Sequence, residues 1–160
     1  MTIELVKNSD PILTERCQEV DFDNPPFDLI EFAHELVKFM YERNGLGLAA
    51  NQIGIPYRIF AMRSHPENFV CINPKIVQPS AETIVLEEGC LSYPNLIVKV
   101  KRPRHVRVRF NTPNGETLTK TFTGMSARVF QHELDHLDGK IFYQQANKFH
   151  RDQALRKWKK

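Results

Sequence analysis

Two histidines one helical turn apart give the strongest chemical signal in this sequence. They are His132 and His136, and Glu133 lies between them in the sequence HELDH. On a helix, residues four apart project from the same face, so both imidazoles can bind one metal ion while the glutamate faces water beside it. This arrangement is typical of sites that hydrolyse amide bonds. Because such short motifs also occur on helices that bind no metal, the rest of the chain must supply a third ligand and a substrate site.

The third ligand must come from another part of the chain. One large class of proteases takes it from a histidine in HExxHxxGxxH, but Phe142 stands at that position here. Another class uses a downstream glutamate, and none follows Glu133. Cys90 is the best upstream candidate, because Gly89 before it permits a tight backbone and a thiolate binds zinc or ferrous iron well. The alternative is that Cys90 is a small buried residue, as free cysteines often are.

Length and composition predict one globular catalytic domain over residues 1–160, 41% of which are hydrophobic. No apolar run is long enough to cross a bilayer, and the N-terminus lacks the charged and apolar segments of a signal peptide. Three cysteines are too few and too scattered for a disulfide framework, which favours a reducing compartment. We therefore expect a cytoplasmic protein with no membrane partner. We also expect a monomer, although these features do not decide the oligomeric state.

The elements that must position these residues predict an α+β fold. An amphipathic helix is expected between a capping segment at 23–26 and Gly45, and the HELDH motif lies on a second helix over 126–137. The last two predicted strands flank a turn sequence at 112–115 and should form a hairpin. The basic run 99–109 is interpreted as the solvated face of strands. The predicted strands cover residues 58–62, 69–73, 83–86, 97–101, 105–110 and 117–122. This order predicts antiparallel or mixed sheets surrounding a central metal-binding helix, with an N-terminal and a C-terminal helix.

Three segments, taken together and in order, resemble the signatures of the peptide deformylase family in its shorter, Gram-negative-like form. They read GLGLAANQ at 45–52, EGCLS at 88–92 and QHELDH at 131–136. The resemblance extends over nearly the whole chain. It implies a hydrolase that removes the N-formyl group from the N-terminal formyl-methionine of newly synthesised polypeptides and releases formate.

The resemblance also implies a catalytic role for particular residues. The metal ligands would be Cys90, His132 and His136. They would hold one divalent ion, natively Fe²⁺, with Zn²⁺, Ni²⁺ or Co²⁺ as substitutes. Glu133 would act as general base and then as general acid, while the Gln52 amide and the Leu91 N–H would stabilise the oxyanion.

Substrate binding is implied in the same way. The peptide would pair with residues 45–47 as an added strand, and the methionine side chain would enter an apolar pocket. Glu88 and Arg102 would form an ion pair beside the site; the alternative is two independent surface charges. The substrate-binding residues would be Gly45, Leu46, Gly47, Glu88, Gly89, Arg102, Met125 and Val129. For the apolar members, ordinary core packing is an equally good interpretation.

The C-terminal stretch 147–160 predicts a basic helix with two interpretations. It anchors the enzyme to the ribosome, or it is a solvated helix from which Trp158 packs back against the domain. Two other functions also stay open at this point. One is a metallopeptidase that cleaves internal peptide bonds with the HELDH motif, and the other is a non-enzymatic ribosome-binding protein that retains the metal fold.

Overall fold

The computed structural model describes residues 3–159 and has an α+β fold. Within that range the first helix, α1, spans Leu29–Glu42 and precedes most of the strands. Helix α2 (Gly124–Leu137) follows the last strand, and α3 (Lys148–Trp158) ends the described part of the chain. Lys160, which the predicted basic helix included, lies outside the described residues. No helix within residues 3–159 is long and apolar enough to span a lipid bilayer.

The strands pair into two antiparallel sheets. In chain order the described strands are β1 (Gly47–Ala49), β2 (Ile59–Ser64), β3 (Glu67–Pro79), β4 (Thr83–Cys90), β5 (Tyr93–Pro103), β6 (His105–Asn111) and β7 (Thr117–Thr123). The larger sheet has the order β1-β2-β3-β6-β7, and β4 pairs with β5 in a separate sheet. The predicted fold class is confirmed. Because β1 is the last strand on its side of the sheet, its outer edge has no strand partner within residues 3–159.

The structure refines the predicted elements in three ways. The hairpin is confirmed, since His105 pairs with Thr123 across β6 and β7. The predicted cap of α1 at 23–26 is wrong, because Asp28 directly precedes the helix and its Oδ1 accepts the backbone N–H groups of two first-turn residues at 3.1 Å each. Strand β1 was not predicted, since its small residues carry little of the β-branched or aromatic character of strands.

A helix packs on each face of the larger sheet. Alternate residues of β2 point to opposite sides, so Ile59 and Ala61 belong to an apolar cluster with α1, while Phe60 and Met62 belong to one with α2. The rings of Phe60 and Phe130, from α2, lie 5.2 Å apart in a T-shaped arrangement. The segment around the HELDH motif is therefore stabilised as a helix by its apolar side, which packs in the core against the larger sheet.

The smaller sheet has an apolar core of its own. Val98 and Val100 of β5 pack with Phe142, from the 3₁₀ helix Phe142–Gln145, and with Ala154 of α3. Trp158 also contacts this cluster, and its indole N–H donates to the carbonyl of Pro94 at 2.8 Å. Helix α3 is thereby attached to the smaller sheet, in which strand β4 ends at Cys90.

Candidate metal centre and substrate cleft

Three potential metal ligands meet between α2 and the end of β4. Donor atoms of Cys90, His132 and His136 all lie within 4.8 Å of one another, and Cys90 Sγ is 3.3 Å from His136 Nε2. The two histidines come from successive turns of α2, as their spacing predicts. One thiolate with two imidazoles is a donor set that suits a divalent transition metal such as Zn²⁺ or Fe²⁺. The residues therefore fit a metal ion, and Cys90 supplies the third donor.

The charges around Cys90 favour its thiolate. Burial opposes ionisation, but the charge of His136 and hydrogen bonds with both histidines hold the pKa of Cys90 well below its usual range. His132 Nδ1 lies 2.8 Å from Glu88 Oε1. Because an ionised carboxylate only accepts hydrogen bonds, Nδ1 carries the proton, and in the neutral imidazole Nε2 then has its lone pair available for a ligand.

Glu88 is the centre of a buried ion-pair network. Arg102 donates to both of its carboxylate oxygens, at 2.6 and 3.0 Å, and to Asp135 at 2.7 Å. Burial opposes the charge on Glu88, yet the hydrogen bonds from His132 and Arg102 hold its pKa well below the usual range. Both members of the pair are buried, so they are not independent surface charges. The interpretation of 99–109 as a solvated face is therefore wrong for Arg102, whose guanidinium turns inward to this carboxylate.

Glu133 is a buried carboxyl group beside the three ligands. It is 4% exposed, and its Oε1 has no hydrogen-bond partner within the described part of the chain. Burial is the main cause that raises the pKa of Glu133 to about 7. Its other oxygen, Oε2, lies so close to Gly47 that a Cβ at that glycine would be only 2.6 Å away. A carboxyl group with this pKa can exchange a proton in either direction near neutral pH.

Gln52 has its side-chain amide fixed by its neighbours. Its Oε1 accepts the backbone N–H of Ala49 at 2.9 Å, and its Nε2 donates to Ser92 Oγ at 2.9 Å. The same Nε2 lies 3.5 Å from Cys90 Sγ, so the donor side of the amide faces the three ligands. Leu91 follows Cys90 directly, in the turn that joins β4 to β5.

The C-terminal end of α2 is held by two side chains from the segment between β1 and β2. Asn51 Nδ2 donates to the carbonyl of His136 at 2.6 Å. Arg58 donates to the carbonyl of Leu137 at 3.0 Å and to Asp138 at 2.9 Å. These bonds satisfy carbonyls that a helix end leaves without intrahelical partners, and they fix the turn that carries His136.

An open cleft of about 570 Å³ runs past the candidate metal centre. The predicted site residues in its wall are Gly45, Leu46, Gly47, Gln52, Glu88, Gly89, Cys90, Leu91, Met125, Val129, His132 and Glu133. Arg102 and His136 do not line it. Leu46 and Met125 are 50% and 55% exposed, which excludes ordinary core packing for them. Val129 is buried in the core beneath α2 and also borders the cleft, so both interpretations apply to it.

Some cleft residues were not predicted from the sequence. Arg128 is 4% exposed and donates to Glu88 Oε2 at 2.7 Å. No local pattern signals that a charged residue in a helix points inward to a distant carboxylate. Asn44 and Asn95 also line the cleft, with φ angles of 57° and 68°. Asparagine tolerates this left-handed conformation better than most residues, which is the one signal that marks these two positions in the sequence.

Comparisons with known proteins agree with this geometry. The polypeptide deformylase family model matches residues 2–152. The peptide deformylase of Bartonella tribocorum is 38% identical over 163 residues, covering 98% of this chain and 90% of its own. That of Thermotoga neapolitana is 42% identical over 131 residues, covering 81% and 78%.

Solved structures agree as well. The crystal structure of the peptide deformylase from Thermus thermophilus superposes with a TM-score of 0.91 at 32% identity, covering 98% of this chain and 92% of that one. The Plasmodium falciparum peptide deformylase gives a TM-score of 0.88 at 34% identity, covering 98% and 93%. The likeness therefore extends through the whole fold and is not confined to the three sequence motifs.

Proposed function

This chain belongs to the peptide deformylase family, and from that premise we propose which of its residues carry out each part of the reaction. The enzyme is a metal-dependent hydrolase that removes the formyl group from the N-terminal formyl-methionine of new polypeptides and releases formate. Cleavage of internal peptide bonds and a non-enzymatic role are not favoured. The observation that carries the assignment is the grouping of the Cys90, His132 and His136 donors beside the buried carboxyl group of Glu133.

Cys90, His132 and His136 hold one divalent ion, natively Fe²⁺, with Zn²⁺, Ni²⁺ or Co²⁺ as substitutes. When bound there, the ion supplies a positive charge that polarises the formyl carbonyl and makes water more acidic. The donor set supports this assignment, since imidazole and thiolate suit these metals. Metal analysis of protein purified without oxygen should find a single iron per chain, and Cys90→Ala should lose it. Stoichiometric zinc without iron in that preparation would contradict the native Fe²⁺ assignment.

Glu133 moves the proton. As a carboxylate it accepts a proton from the attacking water, and it then donates that proton to the amine nitrogen as the bond between nitrogen and the formyl carbon breaks. Its burial, its pKa near 7 and its unpartnered Oε1 support this role. Glu133→Gln should lower turnover of formyl-Met-Ala by about 100-fold or more while the protein still binds its metal. Turnover close to that of the natural enzyme would show that Glu133 is not the base.

Gln52 and the Leu91 N–H stabilise the negative charge that develops on the formyl oxygen. The orientation of the Gln52 amide supports this role, because its oxygen is already occupied by the Ala49 N–H and its Nε2 lies 3.5 Å from Cys90 Sγ. Loss of one such donor typically costs about 100- to 1000-fold in kcat. We therefore expect Gln52→Ala to lower kcat by that amount, measured as formate release. A kcat within a few-fold of the natural enzyme would exclude the amide from this role.

The substrate backbone pairs with residues 45–47, which lead into the free edge of β1. Its methionine side chain lies among Leu46, Met125 and Val129. Main-chain pairing gives affinity that does not depend on the sequence of the peptide. The open edge and the adjoining cleft support this mode. Met125→Ala should raise KM for formyl-Met peptides more than it lowers kcat. A rise in KM no larger than the fall in kcat would argue against a binding role for this side chain.

The basic helix α3 binds the ribosome. Trp158 attaches α3 to the domain, yet Arg156, Lys157 and Lys159 remain exposed, so packing of the tryptophan and binding of a polyanion are compatible. The triple substitution of these three basic residues by glutamate should abolish co-sedimentation with ribosomes without changing turnover of a short formyl peptide.

A control with the same change in charge separates a specific helix from general basicity. Its three substitutions place glutamate at Lys101, Arg107 and Arg109, which are exposed on the strands. Equal loss of ribosome binding in both triple variants would contradict a role for α3.

The enzyme works as a monomeric domain in the cytosol, where nascent chains are made, and its three free cysteines support a reducing compartment. Light scattering of the purified protein tests the monomer.

A further inference from the structure

The two elements that carry the metal ligands meet across a polar interface. The apolar residues of α2 pack against the larger sheet, whereas those of β5 pack against α3 and Phe142. Within residues 3–159, no apolar cluster joins α2 to β4 or β5. Apart from the contact between the rings of His132 and Phe142, whose centroids lie 5.4 Å apart, the contacts that join α2 to the smaller sheet beside the ligands are polar.

Arg128 makes several of these contacts from a single side chain. Its Nη1 donates to Glu88 Oε2 and to the carbonyl of Val100, both at 2.7 Å, and its Nη2 donates to the carbonyl of Ile84 at 2.7 Å. The three acceptors lie on both strands of the smaller sheet. Gln131, one turn further along α2, adds a bond to the carbonyl of Pro103 at 2.9 Å. This one side chain therefore ties α2 to β4, to β5 and to the carboxylate that orients His132, and the Arg102–Asp135 ion pair at 2.7 Å is a second connection between β5 and α2.

The chemistry of arginine suits this connection. A planar guanidinium presents donors in fixed directions, so three short bonds to three acceptors define both the distance and the angle between α2 and the sheet. Glu88 lies two residues before Cys90 on β4, which leaves little chain between the fixed carboxylate and the thiol. Loss of Arg128 would leave buried acceptors without this donor and would let the sheet shift against α2.

We propose that Arg128 is a positioning residue for the metal centre: it fixes Cys90 against His132 and His136 and so slows loss of the ion. The inference rests on the proposed ligand set. Substitution of outer partners of metal ligands typically costs about 10- to 100-fold in metal affinity. Arg128→Met keeps a long apolar side chain and removes every donor. Arg128→Lys keeps the charge, but an ammonium lacks the planar fork that spans three acceptors.

The test measures the metal site without using substrate. Co²⁺-loaded enzyme is mixed with excess chelator, and loss of the thiolate-to-cobalt charge-transfer band gives both the coordination of Cys90 and the rate of ion loss. We expect ion loss to be at least about 10-fold faster in Arg128→Met and also faster in Arg128→Lys, with a shifted band. Arg107→Met, an exposed arginine on β6, is the matched control and should match the natural enzyme.

Each outcome bears on the inference. A lower melting temperature with an unchanged band and unchanged rate of ion loss would show a merely structural role and overturn it. If Arg128→Met does not fold, Arg128→Lys decides: ion loss at the natural rate overturns the inference. Failure of the ligand set is distinguishable, because the natural enzyme itself would then show no thiolate-to-cobalt band.

Discussion

Replacing Gly47 with alanine should slow catalysis more than it weakens substrate binding. A Cβ at Gly47 would lie 2.6 Å from Glu133 Oε2 and 2.8 Å from its Cγ and Cδ. Ordinary van der Waals contact begins at 3.4 Å, so the carboxylate would have to retreat by about 0.8 Å. Glu133 is buried on a helix that packs in the core, so its side chain, and not the helix, must move.

The size of that movement sets the expected loss. A misplacement of about 1 Å in a catalytic group costs on the order of 100-fold in rate. We therefore expect kcat of Gly47→Ala to fall by roughly that factor, with a smaller change in KM for formyl-Met-Ala. Alanine keeps the main-chain groups that would pair with the substrate, whereas the displaced carboxylate acts in the transition state. The assay is formate release over a range of substrate concentrations, with circular dichroism to verify the fold.

Gly45→Ala provides the matched comparison. It makes the same chemical change two residues away, but its Cβ would meet Leu91 Cδ1 at 2.8 Å, in the wall of the cleft. Its main effect should be on KM. If Gly47→Ala retained kcat within about threefold, or if the two variants lost kcat equally, the claim that a Cβ at position 47 displaces the Glu133 carboxylate from its catalytic position would be refuted.

Three further predictions concern pH and stability. Burial raises the pKa of Glu133 to about 7, and the ionised form is the base, so kcat/KM should rise with pH up to about that value. A bound cation would move this rise to lower pH. A fall in kcat/KM over this range would contradict the assignment. Arg58→Met should lower the free energy of unfolding in urea by about 2–4 kcal/mol, because buried Arg58 donates to Asp138 and to the carbonyl of Leu137 at the end of α2. The control Arg104→Met breaks an exposed ion pair and should cost about 1 kcal/mol or less. Equal losses of stability would refute the distinction. Phe130→Ala should cost about 3–5 kcal/mol by the same measurement, since Phe130 is fully buried; a loss below about 1 kcal/mol would contradict its place in the core.

Local patterns in the sequence predict the metal-binding helix because its spacing is a property of the helix itself. His132 and His136 must share a face wherever α2 lies, and the apolar residues around them identify the buried side. The hairpin of β6 and β7 follows in the same way from alternation and a turn sequence. Cys90 emerged by elimination of other ligands and by resemblance, since nothing local shows that β4 ends beside α2.

Features that depend on distant partners were not predictable in this way. The inward turn of Arg102 and Arg128 depends on Glu88, which lies on another element, and a charged residue in a strand or helix is usually solvated. The cap of α1 was misplaced because several turn-forming residues precede it and only Asp28 has the geometry to accept its free N–H groups. Periodicity in the sequence identifies helices and strands, whereas contacts between these elements determine which charged side chains are buried at the site.

The free edge of β1, where we propose that substrate pairs, is also a site at which copies of the protein could aggregate. An unpaired strand edge accepts any extended chain, including the edge strand of another copy, and such pairing leads to aggregation. Here β1 is only Gly47–Ala49, and a helix and the smaller sheet border the cleft beside it. A strand of three residues offers few main-chain hydrogen bonds to the edge of a folded neighbour. If the substrate pairs here as proposed, we expect the edge to accept flexible N-termini and to reject the edge strands of folded sheets.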